Sequence, residues 1–485
     1  MSILLTSSRV APPAPSGGGT ALRARALRGL RVASIGTAGK TLVDLGTQLV
    51  LLRLLAPEYF GVFAMAQALS GFVATLGDMA GQKFIVQRQQ ISERLVSTVF
   101  WFELSMGLLV AGLWAALCVP VLGALNRPEQ IPFAWGLCVW IVAERLLLPR
   151  SLLERQMEFT AVNIALFVGV VAGSVAMLTG ALMGGGAWVF VMGLVVRTLV
   201  AAALVWRAAR FVPLWVFDRK TLRELVPFGA PLLVATALAF AATNVDYLVI
   251  GSLAGYSLLG LYYAAYRYPH YMNQFNIVLS SVVFPSFSRA TDAAHLGRGL
   301  RLLTRYAALF AFVPVWMMWT EGEWLLIVLL GEKWLGALFP FQVFTTLAAM
   351  RLVFSHWGHV LVSRGTTWPV MVSSAASLPL VATAAWVGIM WHGIEGAAVG
   401  VAVVSLTVLL VCCAVFVRRV VPGFRYLEAV LPALVALGAA LGVWYALGFI
   451  DGVTPWMTLL AGTAAYAAVA MAWCGAEMRR VMGRA

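Results

Sequence analysis

Apolar runs of about 20 residues, the length that crosses a ~30 Å hydrocarbon core, recur along this chain and are separated by short polar gaps. The pattern predicts about 14 membrane-spanning helices. They fall over 33–55, 58–79, 96–125, 130–150, 160–181, 186–206, 226–251, 256–285, 301–330, 334–363, 367–391, 394–418, 427–449 and 455–475. The first is the least apolar, because Lys40 and Asp44 interrupt it.

Polar positions give the spans a direction. Arg9, Arg23, Arg25, Arg28 and Arg31 precede the first span, and Arg479, Arg480 and Arg484 follow the last. Most other basic residues fall in every second gap, as with Lys83, Arg88 and Arg94, or Arg207, Arg210, Arg219, Lys220 and Arg223. The intervening gaps hold only Arg53, Arg127 and Lys333. By the positive-inside rule both termini are expected in the cytoplasm, with an even number of crossings.

Composition narrows the class. The chain is 61% hydrophobic and 11% charged, with mean hydropathy +0.90, which no soluble domain of this size shows. The net charge of +14 sits mostly in the gaps read as cytoplasmic, where it suits anionic membrane lipids rather than nucleic acid. Cys118, Cys138, Cys412, Cys413 and Cys474 lie in or beside spans and read as small core residues, with no metal or disulfide spacing. Residues 11–19 are rich in Pro, Gly and Ser and read as disordered; 21–32 read as an Arg-rich amphipathic stretch on the membrane surface. No gap is long enough for a catalytic domain, and no P-loop or nucleophile elbow occurs, so neither an enzyme nor an ATP-driven pump is expected and no cofactor is implied. A coupling ion, proton or sodium, is left open.

The chain echoes itself. Residues 54–66, LLAPEYFGVFAMA, resemble 253–265, LAGYSLLGLYYAA, and place Gly61 and Gly260 alike near the start of a span. Two parallel six-span repeats follow. The expected organisation is a disordered and amphipathic arm (1–32), an N-lobe (33–206), a cytoplasmic linker (207–225), a C-lobe (226–418), and a final helix pair with a cytoplasmic tail (419–485). The fold class is an all-α integral membrane protein with two six-helix lobes around a central cavity plus a C-terminal helix pair. Small-residue pairs at Gly169/Gly173, Gly251/Gly255, Gly396/Gly400 and Gly438/Gly442 suit close helix packing. Pro269, Pro314, Pro340 and Pro379 lie within spans and mark kinks or hinges.

Charged residues at membrane depth are costly and face an interior or a wet cavity. In the first span Thr37, Lys40, Thr41, Asp44, Thr47 and Gln48 form one polar face. Lys40 and Asp44 either line a cavity or pair with each other at i,i+4. The seventh span carries Asn244 and Asp246, and the eighth puts Tyr263, Arg267, His270 and Gln274 on one face. Rings beside amides and a guanidinium suit a sugar–pyrophosphate ligand; an interfacial tyrosine belt is the other reading. The tenth span holds Arg351, His356 and His359. Two histidines alone do not make a metal site; they read as interior residues or proton-coupling groups. Asp78, Glu103 and Arg197 are further buried charges, whereas Glu144 and Arg145, near a span end, are expected to snorkel.

Residues 53–66 (RLLAPEYFGVFAMA), 78–88 (DMAGQKFIVQR) and 97–102 (STVFWF) together resemble the Wzx-type polysaccharide flippases of the multidrug/oligosaccharidyl-lipid/polysaccharide exporter superfamily. Arg53, Pro57, Phe60, Gly61, Asp78, Gln87, Arg88, Ser97, Thr98, Phe100 and Trp101 match the family pattern, while Ala80 stands where the family often has Gly. Residues 243–260 and 329–334 continue the likeness, which covers about residues 30–420. The resemblance implies a fold of 12 to 14 helices in two lobes, and transport of an undecaprenyl-pyrophosphate-linked glycan from the cytoplasmic to the periplasmic leaflet in exopolysaccharide, O-antigen or capsule synthesis. A polysaccharide polymerase and chain-length proteins are implied partners beside membrane lipids. Analogy with lipid II flippases nominates Lys40, Arg53, Arg267 and Arg351 as pyrophosphate contacts. Two rivals remain: a multidrug cation antiporter, whose cavity should be acidic, and a membrane polysaccharide polymerase or ligase, which should carry a long outer loop.

Overall fold

A computed structural model of the protein describes residues 19–267, 269, 271–272, 293–354, 368–420 and 424–482. Its main helices are α1 (Gly19–Leu54), α2 (Pro57–Leu76), α3 (Gly81–Gln87), α4 (Glu93–Ala124), α5 (Ile131–Arg145), α6 (Arg150–Arg155), α7 (Phe159–Leu182) and α8 (Trp188–Ala209). They continue with α9 (Arg219–Leu253), α10 (256–267), α11 (Ala293–Leu329), α12 (Leu338–Phe354), α13 (Trp368–Val420), α14 (Tyr426–Leu447) and α15 (Pro455–Met482). No strand occurs among the described residues. Eleven helices there are long and apolar enough to cross a membrane, so the all-α, multi-pass reading holds. A spanning helix satisfies its own backbone hydrogen bonds, which hydrocarbon demands.

Several local expectations change. The stretch 21–32 is not a separate surface helix, because α1 runs unbroken from Gly19 through the first span; of the stretch 11–19 expected to be disordered, 11–18 lie outside the described residues and Gly19 opens α1. The eleventh and twelfth spans are the two arms of α13. Its backbone breaks at His392 and Gly393, the latter at φ 58°, a conformation glycine adopts without steric cost. Beyond the break the arms double back, so that Gly396 lies against Gly388 and Gly400 against Ala384. Among the described residues the helix breaks do not fall at Pro314, Pro340 or Pro379. α11 loses helical geometry at Glu321, not at Pro314, and Pro340 sits in the first turn of α12, where a missing N–H costs nothing.

Contacts group the chain into two units, Met1–Leu55 with Val62–Asn244, and Ala56–Gly61 with Val245–Ala485. In the first, α7 packs on α8 at Gly169 and Gly173, where an added Cβ would stand 2.7 Å from the carbonyl oxygens of Arg197 and Gly193. Small residues bring backbones together because lipid offers no hydrophobic drive for helices to associate. In the second, Ala307, Ala308 and Ala311 of α11 join Trp316, Leu352, Ala433, Ala436 and Tyr466 in a closed core. The expected pair Gly438/Gly442 makes no close contact among the described residues, since a Cβ added at either would meet nothing within 4 Å there, and Gly255 serves a turn at φ 84° instead of a helix contact.

Candidate functional site

The signature stretch at 78–101 builds scaffold in the first unit. Ala80 turns the chain with a left-handed backbone (φ 57°, ψ 30°) and precedes α3. The first N–H groups of a helix need outside acceptors. Asp78 Oδ1 takes the Ala80 N–H at 2.8 Å, and Glu103 Oε1, from α4, takes that of Gly81 at 2.8 Å. The other oxygen of Glu103 lies 3.5 Å from Arg145 Nη1, and Arg145 Nη2 donates to the carbonyl of Ala74 at 2.9 Å. Glu103 is 3% exposed. Arg145 therefore points inward as the counter-ion of a buried carboxylate, and the expected snorkelling is wrong. Glu144 also turns in, accepting from Trp140 Nε1 at 3.1 Å. The interior carboxylate captures the guanidinium because a lone buried charge costs more than a paired one.

The remaining signature residues fasten the connection between α8 and α9. Ser97 Oγ accepts the Leu214 N–H at 3.0 Å, Thr98 Oγ1 accepts that of Asp218 at 3.1 Å, and Trp101 Nε1 donates to the Leu214 carbonyl at 2.8 Å. Trp101 stacks on Trp215 at 4.1 Å between centroids, and Phe100 meets Trp206 and Phe211 edge-on. Arg88 lies over the Phe84 ring at 4.8 Å and pairs with Glu224. Arg155 donates to the Arg88 carbonyl. The expected linker is thus a strap held by α4.

The polar face of α1 has partners on other helices. Lys40 Nζ donates to Asn163 Oδ1 of α7 at 3.2 Å, and Asp44 pairs with Arg197 of α8 at 3.2 Å. The i,i+4 alternative for Lys40 and Asp44 gives way to these contacts. Arg53 is exposed at the last turn of α1, 13 residues on, so about 20 Å along the axis from Lys40 and on another face. α1 does not bring these two cations to one point.

The second unit holds a cluster of rings and guanidinia. Asp246 is 2% exposed; its Oδ2 accepts the Tyr262 hydroxyl at 2.8 Å. Tyr247 packs edge-on to Tyr262, Tyr263 and Tyr266, and Phe344 closes the far side. Two cations attach to this cluster. Arg351 Nη1 donates to the Tyr266 hydroxyl at 3.2 Å, and the Arg267 guanidinium lies 5.4 Å from the centroid of the Tyr263 ring. Arg267 Nε is buried and has no hydrogen-bond partner among the described residues.

These placements sort the expected site residues. Arg267 of α10 and Arg351 of α12 each attach to the same tyrosine cluster, at Tyr263 and Tyr266 respectively. Asp246 and Tyr263 are closed inside the packing of that cluster. Asn244 spends its amide on the Phe240 carbonyl of its own helix, at 2.8 Å. His270 and Gln274, like His356 and His359, lie outside the described residues. Sequence reasoning missed Tyr266 as the bridge to Arg351 and missed Glu321, an acid within the predicted span 301–330 whose only sequence signal was its charge.

A family model described as "Polysaccharide biosynthesis protein" matches residues 50–338. The chain is 28% identical over 293 residues to the succinoglycan biosynthesis transport protein ExoT of Rhizobium meliloti, a match covering 59% of this chain and 58% of that one. It is 24% identical over 307 residues to the teichuronic acid biosynthesis protein TuaB of Bacillus subtilis, covering 61% and 62%. It is 22% identical over 348 residues to the lipopolysaccharide biosynthesis protein WzxC of Escherichia coli, covering 71% of each. The chain thus spans about three fifths of the length of the first two relatives. Among solved structures, lipid II flippase MurJ in an inward closed conformation superposes with a TM-score of 0.69 at 13% identity, over 93% of this chain and 99% of that one. An inward-facing multidrug resistance MATE family transporter gives 0.52 at 14% identity, over 80% and 94%. At those identities the likeness carries the fold.

Proposed function

The chain belongs to the polysaccharide biosynthesis protein family, and from that membership we propose that it is a flippase that moves a lipid-linked oligosaccharide unit from the cytoplasmic to the periplasmic leaflet of the bacterial inner membrane. It works by alternating access, without covalent chemistry. The substrate is a glycan on an undecaprenyl-pyrophosphate carrier, supplied on the cytoplasmic side and consumed by a polymerase outside. Both termini face the cytoplasm.

Physics supports a protein route. Each glycan hydroxyl stripped of water costs about 1–3 kcal/mol unless it is paired, so a bare repeat unit does not cross hydrocarbon on a useful timescale. Arg267 and Arg351 are the pyrophosphate contacts: guanidinia fit phosphate in a fork, and the tyrosines beside them hold the two guanidinia in place. Outward movement of a pyrophosphate also follows the membrane potential, a gain of about 2.3 kcal/mol per charge per 100 mV.

The observation that carries this reading is the family match over residues 50–338, together with two arginines held on a tyrosine cluster inside the matched and adjoining region. Deletion of the protein should accumulate lipid-linked repeat units on the cytoplasmic leaflet and stop polymer output. Unchanged polymer with no accumulated intermediate would refute it.

A further inference from the structure

Glu321 stands where α11 loses its helical backbone (φ −123°, ψ 25°). Its Oε1 accepts Trp444 Nε1 of α14 at 3.0 Å and the Thr458 hydroxyl of α15 at 2.7 Å. Both donors are neutral. The carboxylate lines a recess of about 300 Å³ whose walls include Trp444, Tyr445 and Phe449. No Lys, Arg or His occurs in residues 306–332 or 426–478, the stretches of α11, α14 and α15 that meet there, while Glu323 and Asp451 add negative charge nearby in the chain.

The recess lies at the ends of helices. Trp444 is in the last turn of α14 and Thr458 in the first turn of α15. Tyr445 is 65% and Phe449 74% exposed. Exposed aromatic rings at helix ends mark the headgroup depth of a bilayer. This carboxylate is half-buried, its two donors are neutral, and among the described residues no Lys, Arg or His forms an ion pair with it. An anion would be repelled. A cation that meets Oε2 and rests on aromatic faces gains twice, by charge and by the ring quadrupoles.

We propose that this recess binds an alkylammonium group, as carried by a zwitterionic phospholipid headgroup or by a free amine. It uses none of the residues assigned to glycan transport, so it stands whether or not that assignment does.

The test uses the full-length purified protein. In one arm, detergent-solubilised protein is offered equal phosphatidylethanolamine and phosphatidylglycerol, and retained lipid is counted by native mass spectrometry. In the other, ethanolamine or choline chloride is compared with sodium chloride at equal ionic strength by thermal unfolding. E321Q removes the charge. Y445A removes an exposed ring whose loss leaves the core untouched, and it decides the matter should E321Q fail to elute as a folded species. A preference of about five-fold or more for the ethanolamine lipid, abolished in the variants, supports the proposal with lipid as source. A rise in unfolding temperature with free amines alone, again abolished, supports it with a soluble amine as source. Equal retention of both lipids with no amine effect, an effect that persists in both variants, or binding of neutral sugars in place of amines overturns it.

Discussion

Gly61 and Gly260 admit each other's backbone: a Cβ on Gly61 would overlap the Tyr256 carbonyl, and a Cβ on Gly260 would overlap that of Pro57. The contact is reciprocal, since Pro57 precedes Gly61 by the same four residues that separate Tyr256 from Gly260. The two segments that echo each other in sequence are thus partners in space, with Phe60 edge-on to Trp334 beside them at 5.4 Å. G61A should therefore destabilise the protein by about 1–3 kcal/mol, as overpacking does. G438A, whose added Cβ meets nothing within 4 Å among the described residues, should be neutral or slightly stabilising because alanine favours helix. Thermal unfolding of the purified variants checks the contrast, and equal behaviour would contradict the geometry.

Ala80 holds a left-handed backbone, which costs an L-residue roughly 1–2 kcal/mol. A80G should raise stability by about 1 kcal/mol, part of the relief being offset by the greater freedom of glycine in the unfolded chain. A higher midpoint in denaturant is the expected result.

Arg145 and Glu103 form a buried pair, and removing one partner strands the other. R145M should cost about 3–5 kcal/mol, and the R145M/E103Q double variant should cost less than the two single changes summed. A double-mutant cycle on unfolding free energies measures the coupling.

Arg267 offers a test of the transport reading. R267E should abolish polymer export while membrane insertion, judged by protein in the membrane fraction, stays normal. R267K should fall between, because an ammonium cannot present a planar fork. Wild-type output from R267E would remove Arg267 from the site.

Asp218 caps α9 from the strap: its carboxylate accepts the Lys220 and Thr221 N–H groups and the Thr221 hydroxyl. The Thr221 hydroxyl first, and then these amides, hold its carboxyl below the usual range. A depressed folded-state pKa means the cap contributes above the ordinary aspartate range and is lost as pH falls through the lowered value. Amide exchange at Lys220 and Thr221, corrected for intrinsic rate, should therefore accelerate in acid, and D218N should show much of that loss at neutral pH.

The apolar runs and their charge asymmetry were enough to define a multi-pass helical membrane protein, because a spanning helix is decided by the transfer free energy of its own 20 or so residues. The glycine echo and the signature residues were equally visible, since each repeats a local pattern. Their roles were not. Asp44 has a candidate partner four residues away, yet it pairs with Arg197, 153 residues on. Arg145 looked free to reach water and instead answers Glu103. Ser97, Thr98 and Trp101 read as a family mark and prove to be the clasp of a strap more than a hundred residues later. The bend of α11 came at Glu321 and not at a proline. Hydropathy is a property of a segment, whereas the partner of a buried charge depends on which helix faces are set against each other. Only the packed tertiary structure brings those faces together.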